Sequence, residues 1–121
     1  MKFAPFYFLF AFCMLPIVAA GEWLPGFEDV PMMDKTYVVE EESFVYSLAE
    51  GKIVQATVIS DHVSRRQLQR FYSDALRELG WRRTRDTRAL QTFTRGSEEL
   101  NIEIIESDPL TVGFTLTPIG D

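Results

Sequence analysis

The stretch Val63–Trp81, VSRRQLQRFYSDALRELGW, carries its own start and stop signals. Ser64 is a good N-cap, because its hydroxyl accepts a hydrogen bond from a free first-turn N–H. Gln67 completes the capping box S-x-x-Q, and Val63 with Leu68 fits the flanking hydrophobic staple. Leu68, Phe71, Tyr72, Ala75, Leu76 and Leu79 recur at steps of three and four, which puts them on one face of a helix. Gly80 tolerates the left-handed conformation that closes a helix, and Trp81 is placed to fold back on Leu76. A helix of this length is marginal alone in water. Its apolar stripe therefore requires a surface to cover, and the flanking segments must supply it.

Those segments read as strands. Thr36–Val39 makes a short one, and Glu40-Glu41-Glu42 interrupts it as a solvated turn. Glu42–Leu48 and Lys52–Ser60 follow, joined by the Gly-containing turn Ala49-Glu50-Gly51. In the second of these Ile53, Val54, Val58 and Ile59 fall on both faces, which predicts a central strand covered from two sides. Beyond the helix come Trp81–Asp86, Leu90–Arg95, a strand in which Leu100, Ile102 and Ile104 alternate with polar residues, and another built on Val112, Phe114 and Leu116. With the hairpin pair Glu42–Leu48 and Lys52–Ser60 counted before the helix, and the short Thr36–Val39 segment left out, the order is β-β-α-β-β-β-β. Short connections after the helix predict antiparallel neighbours in a meander. The expected fold class is α+β, a two-layer sandwich with the helix on one face of a mostly antiparallel sheet. The other face, with Asn101, Glu103, Thr111, Thr115 and Thr117, is expected to be mostly wet.

Residues 1–20 read as a secretory signal peptide: Lys2, an apolar run, then Val18-Ala19-Ala20 before Gly21. The competing reading is an uncleaved anchor, the one route by which this chain would insert into a membrane. Cys13 follows Phe12 rather than a small residue, which argues against lipidation. Removing 20 of the 121 residues leaves 101 with no cysteine, so neither disulfide nor thiol chemistry remains. A domain near this size supports one modest core. The expected location is periplasmic or secreted.

Residues 21–35 form an irregular arm. Pro25, Gly26 and Pro31 break regular structure, yet Trp23, Leu24, Phe27, Val30, Met32 and Met33 are too apolar for a linker. The arm either shields a sheet edge or docks a partner, since aromatic and Met side chains are favoured anchors. Residues 36–121 make the single domain.

Catalytic and metal chemistry find little support. Ser60-Asp61-His62 holds the residue types of a hydrolase triad, but adjacent residues point apart and no G-x-S-x-G elbow is present. Capping of the helix by Asp61 and Ser64 is the simpler reading. His62 is the lone histidine, and the glutamate run lacks the spacing of a calcium loop, so no metal or cofactor is expected. Gly-rich phosphate loops are absent as well.

Charge is uneven along the chain. The formal net charge is −6, and −7 once Lys2 leaves, which excludes nucleic acid as the default partner. Eight acids lie between Glu22 and Glu50, and six between Gly96 and Asp121, with nine arginines between Asp61 and Arg95. Arg66, Arg70 and Arg77 fall on the helix face away from the core, and Arg82 and Arg83, with Arg85, extend the patch. Arg65 and Arg66 sit in the first turn, where the helix dipole disfavours cations. Such small conflicts between local rule and sequence mark candidate functional surfaces.

The run Arg70-Phe71-Tyr72, with Leu76 and Leu79-Gly80-Trp81, resembles a helix pattern of small exported bacterial proteins of unknown function, F-Y-x-x-x-L-x-x-L-G-W between strands. Residues Leu24–Pro31 look like the start of the mature part in such proteins. The resemblance implies export and an α+β domain, and no activity or site residue.

The sequence thus predicts a non-catalytic interaction module. Arg66, Arg70, Arg77, Arg82 and Arg83, with Trp23 and Phe27 of the arm, would engage an acidic envelope protein or anionic headgroups. The alternative is a small apolar ligand held between helix and sheet near Phe71, Tyr72 and Trp81.

Overall fold

Phe114 marks the point where the three parts of this molecule meet. In the computed structural model, which describes residues 22–119, its ring lies 5.1 Å from that of Tyr72 on the helix and 6.4 Å from that of Phe27 in the arm. Both contacts are edge-on, the favoured geometry for aromatic pairs. Beside it in the sheet stand Ala56 on one neighbouring strand and Ile102 on the other. The small Ala56 leaves room for the incoming rings. The leader expected over residues 1–20 lies outside the described residues.

The strands are β1 (Glu22–Trp23), β2 (Pro31–Met32), β3 (Tyr37–Val38), β4 (Phe44–Leu48), β5 (Gly51–Ser60), β6 (Arg82–Asp86), β7 (Leu90–Arg95), β8 (Glu98–Ser107) and β9 (Leu110–Pro118). Among the described residues there is one α-helix, α1 (Arg65–Glu78). Antiparallel pairing joins β5, β9, β8, β7 and β6 in that order, with β3 and β4 both on the outer side of β5. The class is α+β with a mostly antiparallel sheet. Helix α1 carries the chain from β5 to the far edge of the sheet, and the meander β6–β7–β8–β9 returns to close on β5.

The ends of α1 follow their chemistry. Ser64 Oγ accepts from the Gln67 N–H at 3.1 Å, and Gln67 Oε1 accepts from the Ser64 N–H at 2.9 Å. At the other end Gly80, at φ +93, donates to Arg77 O, and Trp81 donates to Leu76 O, the paired bonds of a Schellman ending. Asp61 takes no part in the cap. Ser60 does related work instead, accepting from the His62 and Val63 N–H groups while donating to Lys35 O.

The core is formed by one face of the sheet, one stripe of α1 and the arm. Leu68, Tyr72 and Leu76 of the helix are buried against Val54, Ala56, Val58, Phe93, Leu100, Ile102, Val112 and Phe114. Here the expectation of an irregular arm needs correction. Glu22–Trp23 pairs with Pro31–Met32 as a small antiparallel ladder, and Leu24, Phe27 and Val30 are fully buried. Pro31 is tolerated because a two-stranded ladder leaves half of its N–H positions unused. Tyr72 Oη donates to Pro31 O at 2.8 Å and accepts from the Met33 N–H at 3.2 Å, tying helix to arm. Arg95 adds a second tie: it pairs with Asp29, donates to Leu79 O at 2.8 Å and stacks 4.5 Å over the Trp81 ring.

As expected, the glutamate run interrupts a strand as an exposed turn: Glu40–Glu42 form a 3₁₀ turn between β3 and β4, which run in line along β5. One further expectation changes: the sheet face away from the helix is less wet than its threonines suggest. Thr57 is buried there, and Ile53, Ile59 and exposed Tyr37, Phe44 and Tyr46 share that face through their pairing with β5.

Candidate functional site

The arginines converge on the outer flank of α1. Arg66 and Arg70, four residues apart, form one row on the helix. An open cleft of about 390 Å³ lies on one side of that row, lined by Met33, Ser64, Arg66, Gln67, Arg70, Phe71 and Asp74. A cleft of about 290 Å³ lies toward the sheet edge, lined by Arg66, Gln69, Arg70, Ser73, Arg83, Asp86 and Gln91. A third, of about 300 Å³, follows along the helix, with Ser73, Arg77, Trp81, Arg82, Arg83 and Phe93. The five arginines expected to engage a partner, Arg66, Arg70, Arg77, Arg82 and Arg83, all line these clefts, while Arg85 lines none of them.

Their electrostatic partners differ. Arg77 reaches Asp74 at 3.7 Å and Arg83 reaches Asp86 at 3.4 Å, both in exposed pairs of small energetic weight. Among the described residues Arg66, Arg70 and Arg82 form no ion pair. Three unneutralised guanidinium groups on one flank leave a positive field on an otherwise acidic chain.

A buried polar seam holds this flank in place, and sequence reasoning missed it. Gln69 is buried at the helix–sheet junction, where its Nε2 donates to Thr87 O and Arg88 O. Its Oε1 accepts from Arg65 at 2.8 Å. Gln91 is buried as well, donating to Gln69 O and Ser73 Oγ. Ser73 Oγ also accepts from Arg83 at 2.8 Å, which fixes that guanidinium between helix and β6. The available signal was alternation: Gln91 shares its strand face with buried Phe93.

The arm residues separate. Trp23 is 53% exposed but lines none of these three clefts. Phe27 is 1% exposed and packs on Phe114, so its ring faces the core and offers nothing to a surface partner. The residues expected around an apolar ligand also part company. Phe71 lines the first cleft and Trp81 the third, while Tyr72 is buried beneath with its ring 4.8 Å from that of Phe71.

The triad-like residues are not assembled: Asp61 and His62 are exposed, and buried Ser60 is engaged with backbone groups. Among the described residues no group of metal-ligand side chains comes together, and no helix is long and apolar enough to cross a membrane. The chain matches no family model, no curated protein and no solved structure.

Proposed function

We propose that this chain is an exported, non-catalytic interaction module whose arginine-lined helix flank binds an acidic segment of a partner protein. The observation that carries the reading is the unpaired row of Arg66 and Arg70, shared by two clefts. The first cleft also offers apolar wall from half-buried Met33 and Phe71. A carboxylate on the arginine row and an apolar side chain against that wall describe an acidic, partly apolar peptide. Guanidinium groups suit carboxylates because their planar fork allows two parallel hydrogen bonds. The reading treats the fold as two layers, helix over sheet, supported by the packing of Tyr72 on Phe114. In that arrangement α1 presents its arginine flank away from the core. Export rests on the apolar leader ahead of Gly21.

The test is charge reversal at Arg66, Arg70 and Arg82 together. Binding of a labelled peptide alternating glutamate with leucine is expected to weaken by at least about tenfold, with a melting temperature close to that of the parent. The parent's binding is also expected to fall as salt is raised. Retained peptide binding by the triple variant overturns the proposal. So does a preference of the parent protein for anionic lipid vesicles over the peptide.

A further inference from the structure

The two edges of the large sheet are finished differently. Edge strand β6, RRTRD, carries three arginines and a bulge at Thr84, where the register with β7 shifts. Charge and bulging are the ordinary means of keeping an edge from pairing with another chain. Edge strand β4, FVYSL, has neither. It holds no charge, proline or bulge, and all five of its residues are exposed. Its four large apolar side chains are 43–62% exposed, and among the described residues nothing covers its outer side.

We infer that β4 is a docking edge that accepts an extended segment of a partner protein as an added strand, apolar in its middle and basic at both ends. The backbone groups on the outer side of β4 supply the ladder, as in other strand-addition complexes. Phe44 and Tyr46 lie on one face with their rings 6.1 Å apart, and would receive alternate side chains of the incoming segment. On the opposite face Val45 is 53% exposed, with its Cγ2 beside the Gly26 turn of the arm.

Charge selects the occupant. Exposed Glu40, Glu41 and Glu42 stand before β4, and exposed Glu50 follows it. A second copy pairing antiparallel through its own β4 would bring its Glu50 against this glutamate run, and like charges facing each other across a ladder repel. A segment with lysine or arginine at its ends meets opposite charge at both. This surface involves none of the arginine clefts, so it stands or falls independently of them.

The probe is a short synthetic peptide of alternating valine and threonine with paired lysines at each end. Fluorescence anisotropy reads its affinity, and hydrogen exchange of the full chain reads its location. The expected result is saturable binding with slowed exchange at residues 44–48. Replacing the lysines by serines, or introducing Tyr46→Lys at this exposed position, is expected to weaken binding by about tenfold. Absent binding, equal binding of the lysine and serine peptides, or protection elsewhere than residues 44–48 overturns the proposal. A peptide-free dimer with those amides protected overturns it as well, since the edge would then serve a second copy.

Discussion

Tyr72 shows how much one side chain can be asked to do. Its ring packs against Phe71 and Phe114, and its hydroxyl satisfies one backbone oxygen and one backbone N–H of the arm. Tyr72→Phe keeps the ring and orphans both groups, which costs about 1–3 kcal/mol where such groups stay buried. Urea unfolding of the variant at neutral pH measures that loss. The same residue predicts a pH dependence. Burial pushes the Tyr72 phenol well above its usual range, with the Met33 N–H opposing the shift. Above about pH 10 the unfolded chain releases this proton while the native chain keeps it. Stability is therefore complete below that point and falls as pH rises beyond it, by up to about 1.4 kcal/mol per pH unit. Tyr72→Phe should flatten that part of the profile, as unfolding measured between pH 9 and 11 on the ~10 reference value would show. Gln69 and Gln91 illustrate the reverse problem. Both are polar and both are buried, so their role was invisible until their partners on other elements were in place.

At the scale of elements, α1 owes its limits to nearest neighbours. Ser64→Ala removes one half of a reciprocal cap and should cost about 1 kcal/mol, seen as a lower denaturant midpoint with an unchanged slope. The turn between β1 and β2 is specified just as locally but for a different reason. Gly26 sits at φ +86, and an added Cβ would lie 2.9 Å from Val54 Cγ1 and 3.1 Å from Val45 Cγ2. Gly26→Ala combines an unfavourable backbone region with a clash on β5, and should destabilise by more than about 1 kcal/mol. Calorimetry of the variant gives the check: a melting temperature at or above the parent's would contradict the packing of the arm on β5. The sheet edges belong to this scale too. Arginines and a bulge blunt β6, while β4 is left open between two acidic turns.

At the scale of the molecule, the arm is a structural part of the core. Deleting residues 22–34 would strip Leu24, Phe27 and Val30 from the interior and leave Tyr72 Oη without either partner. Each buried side chain of this kind contributes about 1.5–3 kcal/mol, and domains of this size have only about 5–15 kcal/mol in total. The deletion is therefore expected to abolish cooperative thermal unfolding in circular dichroism. A sharp transition near the parent temperature would show that the remaining chain folds alone.

The helix and the alternating strands after it were legible from the chain because their causes are local. A cap acts over three residues, an apolar stripe over four and a strand alternation over two. The arginine flank was legible for the same reason, since it is the complement of the buried stripe. Which residues the arm would bury was not legible. Pro25, Gly26 and Pro31 obscure any period, and Phe27 finds Phe114 only after β9 has closed against β5. The polar seam through Gln69 and Gln91 and the contrast between the two sheet edges were hidden likewise. They depend on which distant segments become neighbours, and that follows from long-range burial rather than from any residue's immediate surroundings.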